Sequence, residues 1–317
     1  RDFTINALFY DLHTREVLDF VGGLADIEAR TVRCVGDPDI RMQEDPVRML
    51  RAIKFASRLD LTIEPTLWQA ILRHREEIER AAPPRLLEEI YRLFRPGVSA
   101  HAFRLLGEAS LLEHLVPPLA SYIADDPERV RATERRLDAM DELAQRNGAP
   151  PPDAIIMATL LWGPWQEVLA HAEAQAEAEE RRPDVSAAAT HFLSEVVNVT
   201  GLRIPRRLQD RVRQVWMAQR RFRPGARRRK TDAFLRRSFF PDALSFFEQL
   251  TRAEDGALGP VNVWRRRAGM KPLGDAEDGG EASEDGATPK PKRRRRRRRR
   301  RGGRGRGGGR SGAPPAP

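Results

Sequence analysis

Polar and apolar residues alternate at the start of the chain, with Asp2, Thr4 and Asn6 interleaved with Phe3, Ile5 and Ala7. A period of two is that of a strand with one polar face, so residues 2–7 are predicted to be a strand with Asp2 and Asn6 on the same side. A second strand is predicted over 16–21 after a turn at 11–15, and a third over 31–35. The Gly22-Gly23 pair interrupts the sheet between them.

From Asp45 the apolar period changes to 3.6. Asp45 reads as an N-cap, Pro46 as the first helical residue, and Met49, Ala52, Ala56 and Leu59 as one buried stripe. Further helices are predicted at about 65–81, 84–95, 99–116, 127–147, 153–181, 185–199, 205–221, 230–238 and 241–253, with prolines and Pro-Gly steps between them. No fixed internal period supports a solenoid. The pattern therefore specifies an α+β chain: a small sheet followed by a mostly α-helical body.

Charge divides the chain further. Of the net +10 over 317 residues, positions 274–317 supply +8, including nine consecutive arginines after Lys290-Pro291-Lys292. With almost no apolar surface to bury, this Arg/Gly-rich tail is predicted to be disordered and to hold polyanions without sequence preference. A second basic run, 201–230, carries 11 Arg and 1 Lys against one Asp. Arg203, Arg206, Arg207, Arg211, Arg227, Arg228 and Arg229 are its candidate RNA contacts. Trp216 and Phe222 lie among them, either as stacking platforms for bases or, with Leu208, Val212 and Val215, as a buried stripe. No run approaches the roughly 18 apolar residues of a membrane span. The single Cys34 admits no internal disulfide and points to a cytoplasmic protein.

Candidate chemistry is concentrated in three stretches: RDFTINAL at 1–8, DFVGGLADI at 19–27 and RMQEDPVRMLRAIKFA at 41–56. Asp45 and Arg48, three apart at a helix start, can project from one face. Adenine and cytosine present an exocyclic amine that donates beside a ring nitrogen that accepts. A carboxylate beside a guanidinium complements that edge and meets guanine or uracil with the wrong polarity. An Asp before Pro at a helix start is also an ordinary cap, with Arg48 pairing to it or facing solvent. Likewise Asp2 and Asn6 are either ligands of a ribose or triphosphate, with Arg1 adding charge, or the polar edge of an amphipathic strand. Asp37-Pro38-Asp39 reads as turn chemistry. The six histidines, among them His74 and His114, read as structural.

In this order and spacing the three stretches resemble the class II nucleotidyltransferases, the family of bacterial poly(A) polymerases and tRNA CCA-adding enzymes. The resemblance is strong over residues 1–120. It implies the remnant of a nucleotidyltransferase head at 1–43, a nucleotide-recognition neck at 44–120, an RNA-binding body at 121–273 and the tail at 274–317. It implies sugar contacts for Arg1 and Asp2, with Asn6 supporting strand or sugar. A flexible element would comprise Asp19, Gly22, Gly23 and Asp26. Asp45 and Arg48, preceded by Glu44, would template the base, and Arg51 would contact phosphate or base. ATP is the implied substrate and Mg²⁺ the implied metal. The family's metal-binding Asp-x-Asp pair precedes RDFTINAL. The chain, opening at Arg1 without Met, is thus expected to lack its catalytic carboxylates, to hold no metal ligand and to be inactive alone.

Within that family, Asp19-Phe20-Val21-Gly22-Gly23, the stretch at 82–89 and the Arg-rich C-terminus resemble the poly(A) polymerases. No His-Asp dipeptide marks the phosphohydrolase domain of some CCA-adding enzymes. The expected activity is template-independent transfer of AMP from ATP to RNA 3′ ends, serving RNA processing and turnover. Two alternatives remain open at this point: CCA addition to tRNA, and a non-catalytic RNA-binding module.

Overall fold

Phe3 is fully buried and pairs with Cys34 in one antiparallel bridge, flanked by hydrogen bonds from Thr4 N to Arg33 O and from Val35 N to Asp2 O. That bridge is all that forms of the strand expected over 2–7 in the computed structural model, which describes residues 1–222 and 231–274. Thr4–Asn6 is instead a short 3-10 turn. Its cause is local. Asn6 Oδ1 accepts from Phe3 N, and the Thr4 hydroxyl is drawn to Asp26, so side chains satisfy groups that a ladder would otherwise use. Asp2 and Thr4 are buried, so the expected polar face is not a solvent face.

The other predicted strands are present in shortened form. Phe9–Tyr10 (β1) pairs antiparallel with Val17–Leu18 (β2), in register Phe9↔Leu18 and Tyr10↔Val17. The Asp11 carboxylate closes the turn between them by accepting from His13 N. Thr31–Val32 (β3) pairs in parallel with Thr62–Ile63 (β4), a strand not expected from the sequence. The hairpin leaves Phe9, Tyr10, Phe20 and Val21 substantially exposed.

The rest of the described chain is helical, as the 3.6 period required. Gly23–Glu28 (α1) and Pro38–Glu44 (α2) were not expected as helices. Asp37 starts α2 by accepting from Asp39 N, with Pro38 in the first turn. Val47–Leu59 (α3) follows. It buries Met49, Leu50, Ala52, Ile53 and Ala56 but leaves Leu59 exposed, because the helix ends there in a left-handed Asp60. Pro65–His74 (α4) runs into a 3-10 turn, Arg75–Arg80, and Pro83–Phe94 (α5) packs along α3. The predicted 99–116 helix is two, Ser99–Glu108 (α6) and Leu112–Leu115 (α7), parted where Ser110 takes a positive φ. Pro117–Ile123 (α8) and Pro127–Asn147 (α9) come next.

The predicted 153–181 helix is likewise broken, into Asp153–Leu160 (α10) and Trp162–Ala178 (α11). Pro164 has no amide to bond Leu160, so the hydrogen-bond ladder lapses at this point. Val185–Thr200 (α12), Arg206–Phe222 (α13), Thr231–Leu235 (α14), Phe240–Ala253 (α15) and Gly259–Arg267 (α16) complete the body. α15 packs on α9 and α13, and α10 on α13.

A continuous apolar core runs from Phe3 to Leu250, with Trp165 and Trp216 stacked at 5.3 Å inside it. A second cluster, built on Phe222, Phe234, Phe240 and Trp264, closes the C-terminal helices. Trp216 and Phe222 are therefore interior residues, and Trp216 Nε1 donates to Ala158 O. All described residues belong to one packed unit. The tail beyond Gly274, including the nine consecutive arginines, lies outside the described residues.

Candidate nucleotide-recognition site

The site forms where α2 hands over to α3. Asp45 lies between the two helices with extended backbone, φ −147° and ψ 90°. The first residue of α3 is Val47 and its N-cap is Pro46. Asp45 is therefore not the cap that the Asp-Pro spacing suggested. Its carbonyl accepts from Arg48 N, while its carboxylate points elsewhere. That carboxylate is gripped by Arg85 from the first turn of α5, with Nη1 to Oδ1 at 2.9 Å and Nη2 to Oδ2 at 2.6 Å.

Arg48, in the first turn of α3, is held from the other side. Its Nε donates to Asp2 Oδ1 at 2.9 Å, and its Nη1 to Arg41 O at 2.7 Å and Glu44 Oε2 at 3.2 Å. These contacts leave Nη2 without a hydrogen-bond partner among the described residues. Burial works against the Arg48 charge, but the Asp2 hydrogen bond and charge, with Glu44 and Asp45 behind them, outweigh it. The guanidinium holds its proton more tightly than a free arginine.

Asp2 is the hub beneath. Arg51 Nη1 reaches its Oδ2 at 2.6 Å and Arg41 Nη2 stands 3.9 Å from its Oδ1. Burial raises the Asp2 carboxyl. The Arg48 hydrogen bond and the charges of Arg51 and Arg48 overcome that and hold it below the ordinary range. Arg1 turns its backbone carbonyl to Arg41 Nη2 at 2.9 Å, and the residue is exposed. Asn6 closes the 3-10 turn. The structure thus brings Asp2, Arg48 and Arg51 into one network and sets Asp45 against Arg85.

The glycine stretch packs directly behind this network. Asp19 accepts from Gly23 N and Leu24 N, both at 2.9 Å, and these bonds hold its carboxyl below the usual value. Gly22 takes a left-handed φ of +79°. A Cβ on Gly23 would stand 2.3 Å from Thr4 O, so only glycine allows α1 to approach the N-terminal segment this closely. Asp26 is buried, accepting from the Thr4 hydroxyl at 2.6 Å and from Arg33 Nε at 3.1 Å.

Among the described residues no group of three or more His, Cys, Asp and Glu side chains is arranged to hold a metal. Asp2, Asp26, Glu44 and Asp45 are each engaged by arginine guanidinium groups, so these four carboxylates do not fit a Mg²⁺ site. Asp37 caps α2, and Asp39 is bound by Arg73 and His74 of α4.

Of the basic-run arginines, Arg203, just before α13, and Arg206 and Arg207, in its first turn, are exposed and form no ion pair among the described residues. Arg211 is tied to Ser238 O and Asp242. Arg227, Arg228 and Arg229 lie outside the described residues. No helix among the described residues is long and apolar enough to cross a membrane.

Sequence reasoning passed over three residues of the site: Arg85, Arg41 and Arg33. Arg85 stands 40 positions from Asp45, and neither periodicity nor local spacing signals such a pair.

The fold is that of the CCA-adding enzymes. The crystal structure of the Bacillus stearothermophilus CCA-adding enzyme in complex with CTP aligns with a TM-score of 0.58 at 23% identity, covering 84% of this chain and 57% of that one. Three sequence families match successive stretches: the poly A polymerase head domain at residues 1–33, the probable RNA and SrmB-binding site of polymerase A at 60–123, and the polymerase A arginine-rich C-terminus at 177–301. Poly(A) polymerase I of Escherichia coli is 33% identical over 225 residues, 70% of this chain and 47% of that protein. The CCA-adding enzyme of Lactobacillus helveticus is 38% identical over 120 residues, 38% of this chain and 30% of its own length. The chain belongs to the class II nucleotidyltransferase family of poly(A) polymerases and CCA-adding enzymes. It spans about half the length of the poly(A) polymerase it matches.

Proposed function

We propose that this chain is the base-selecting and RNA-holding part of a polynucleotide adenylyltransferase, which joins AMP from ATP to an RNA 3′-hydroxyl and releases pyrophosphate without a template. The observation that carries the proposal is at the α2–α3 junction: the Asp45 carboxylate caps no helix and lies near enough to Arg48 for its charge to act on the guanidinium, whose Nη2 has no hydrogen-bond partner among the described residues. Asp45 accepts from the exocyclic amine of adenine and Arg48 Nη2 donates to the adjacent ring nitrogen. Guanine and uracil offer a carbonyl where the amine should be and leave the carboxylate facing an acceptor, a mismatch costing about 1–3 kcal/mol.

Beneath the base, Asp2 orders Arg48 and Arg51, and Arg51 and the exposed Arg1 supply positive charge toward the sugar and phosphates. Asn6 and the Asp19–Asp26 stretch support the segment that carries Arg1 and Asp2. Arg203, Arg206 and Arg207, with the basic tail, hold the RNA backbone through phosphate contacts.

Support for adenylate over CCA addition comes from the 33% identity to a poly(A) polymerase across most of the chain and from the match to the arginine-rich C-terminus. CCA addition is the second reading, favoured by the 38% identity to a CCA-adding enzyme and by the fact that cytosine shares the recognised edge. The test is nucleotide incorporation by the full-length enzyme that contains this chain, on an unstructured RNA and on tRNA trimmed of its 3′ end. Homopolymeric A on the unstructured RNA is expected. Addition confined to CCA on the trimmed tRNA would replace the first reading with the second.

A further inference from the structure

Asp45 takes hydrogen bonds on its carboxylate from one residue only among the described residues, Arg85, and it takes two. The geometry says what this does. A carboxylate at an extended junction can rotate about its Cα–Cβ and Cβ–Cγ bonds, and a base contact needs one orientation of its plane. A bidentate guanidinium fixes that plane, because both nitrogens must meet both oxygens at once. It occupies one lone pair on each oxygen and leaves the others to accept from a base.

Arg85 is itself well anchored. Ala82 caps α5 and Pro83 and Pro84 fill its first turn, so the backbone that carries Arg85 has little freedom. One turn further on, Glu89 accepts from Lys54 of α3 at 2.7 Å, pinning α5 along α3. Two ion pairs of opposite polarity, Asp45 with Arg85 and Lys54 with Glu89, therefore set the register between the helix that carries the selecting residues and the one that supports it. The Arg85 side chain is half exposed and Asp45 only 20% exposed, so the contact sits at the mouth of the site rather than in the core.

We infer that Arg85 is a specificity-determining positioning residue, which holds the Asp45 carboxylate in the orientation that accepts an exocyclic amine. The inference rests on the reading of Asp45 as a base-selecting residue. Without the fork, the carboxylate turns freely and discriminates poorly between a base that donates at that position and one that accepts.

The experiment compares kcat/KM for ATP and for GTP in the full-length enzyme with Arg85→Ala, Arg85→Lys and, as reference, Asp45→Ala and Arg92→Ala. Arg85→Ala is expected to lower the ATP-over-GTP ratio on the order of tenfold, as for loss of a base contact. Arg85→Lys, with the charge but not the fork, is expected to fall between it and the parent. Arg92→Ala, on the same helix, is expected to keep the ratio. In an Asp45→Ala background, Arg85→Ala is expected to add no further loss of selectivity. A general weakening of the fold would lower both nucleotides together and leave the ratio unmoved. If Arg85→Ala does not fold, Arg85→Lys and Arg85→Gln decide on the same ratio. An unchanged ratio in the Arg85 variants with a fall in Asp45→Ala overturns the role of Arg85 and leaves the base-selecting reading intact. An unchanged ratio in both overturns both.

Discussion

Asp2 and Arg48 are 46 residues apart in sequence and meet at 2.9 Å, the carboxylate at the start of the chain holding the guanidinium in the first turn of α3. Both side chains are nearly nine-tenths buried, and Arg51 and Arg41 crowd the same carboxylate. Replacing Asp2 by Asn strands three arginines around a neutral amide. The expected loss is about 3 kcal/mol of folding stability, at the low end for a buried ion pair with one partner removed, read by urea unfolding near neutral pH. Because the folded Asp2 carboxyl sits below its ordinary value of 3.8, its contribution is whole above that value and is lost as pH falls through the folded one. The gap between parent and Asp2→Asn should therefore close in acid. A gap that persists unchanged to the acid limit would remove Asp2 from this role.

Asp141 behaves in the opposite sense. Burial pushes its carboxyl up to about 6, despite hydrogen bonds from the Ser99 hydroxyl at 2.7 Å and Ser99 N at 2.6 Å. The folded state binds the proton more tightly than the unfolded chain, so the stability Asp141 contributes is fully present below 3.8 and declines as pH rises through about 6. The span corresponds to on the order of 3 kcal/mol. Melting temperatures of the parent relative to Asp141→Asn, followed from pH 4 to 7, should fall across that window. A flat difference would mean that burial does not shift this group.

The two adjacent glycines should fail differently. Gly22→Ala meets no neighbour but strains a left-handed backbone, for about 1 kcal/mol. Gly23→Ala drives a methyl group onto the Thr4 carbonyl, which must move with the Asp2-bearing segment, and about 2–3 kcal/mol is expected. Thermal unfolding of the two variants should rank Gly23→Ala as the worse; the reverse order would contradict the close approach of α1 to Thr4.

How much of this was legible beforehand follows from the range of the forces involved. Helices announced themselves because Met49, Ala52 and Ala56 repeat on the period that buries one face, and that signal is local. The break at Leu161 was missed because the apolar period runs on through Gly163 and Pro164. The strand over 2–7 was overstated because its alternation is real, yet Asn6 and Thr4 spend their polar groups on a turn and on Asp26. Asp45 and Arg48 stood out by spacing and chemistry. Arg85, Arg41 and Arg33 did not, since a pair joined only by tertiary packing leaves no periodic trace in one sequence.

The proposed RNA contact at the N-terminal end of α13 is open to a salt titration. Arg203, Arg206 and Arg207 are exposed and free of ion pairs among the described residues, so replacing all three by Gln should cost little stability. It should instead flatten the dependence of log affinity on log salt by about 2 for single-stranded RNA. An unchanged slope would move RNA contact away from these residues.

The most direct measurement concerns Asp45. In the full-length enzyme, single-nucleotide incorporation on an RNA primer should be compared for ATP and GTP, parent against Asp45→Ala. Selection by the Asp45–Arg48 pair is expected to appear as a loss of ATP preference equivalent to about 1–3 kcal/mol. ATP preference undiminished in the variant would contradict it.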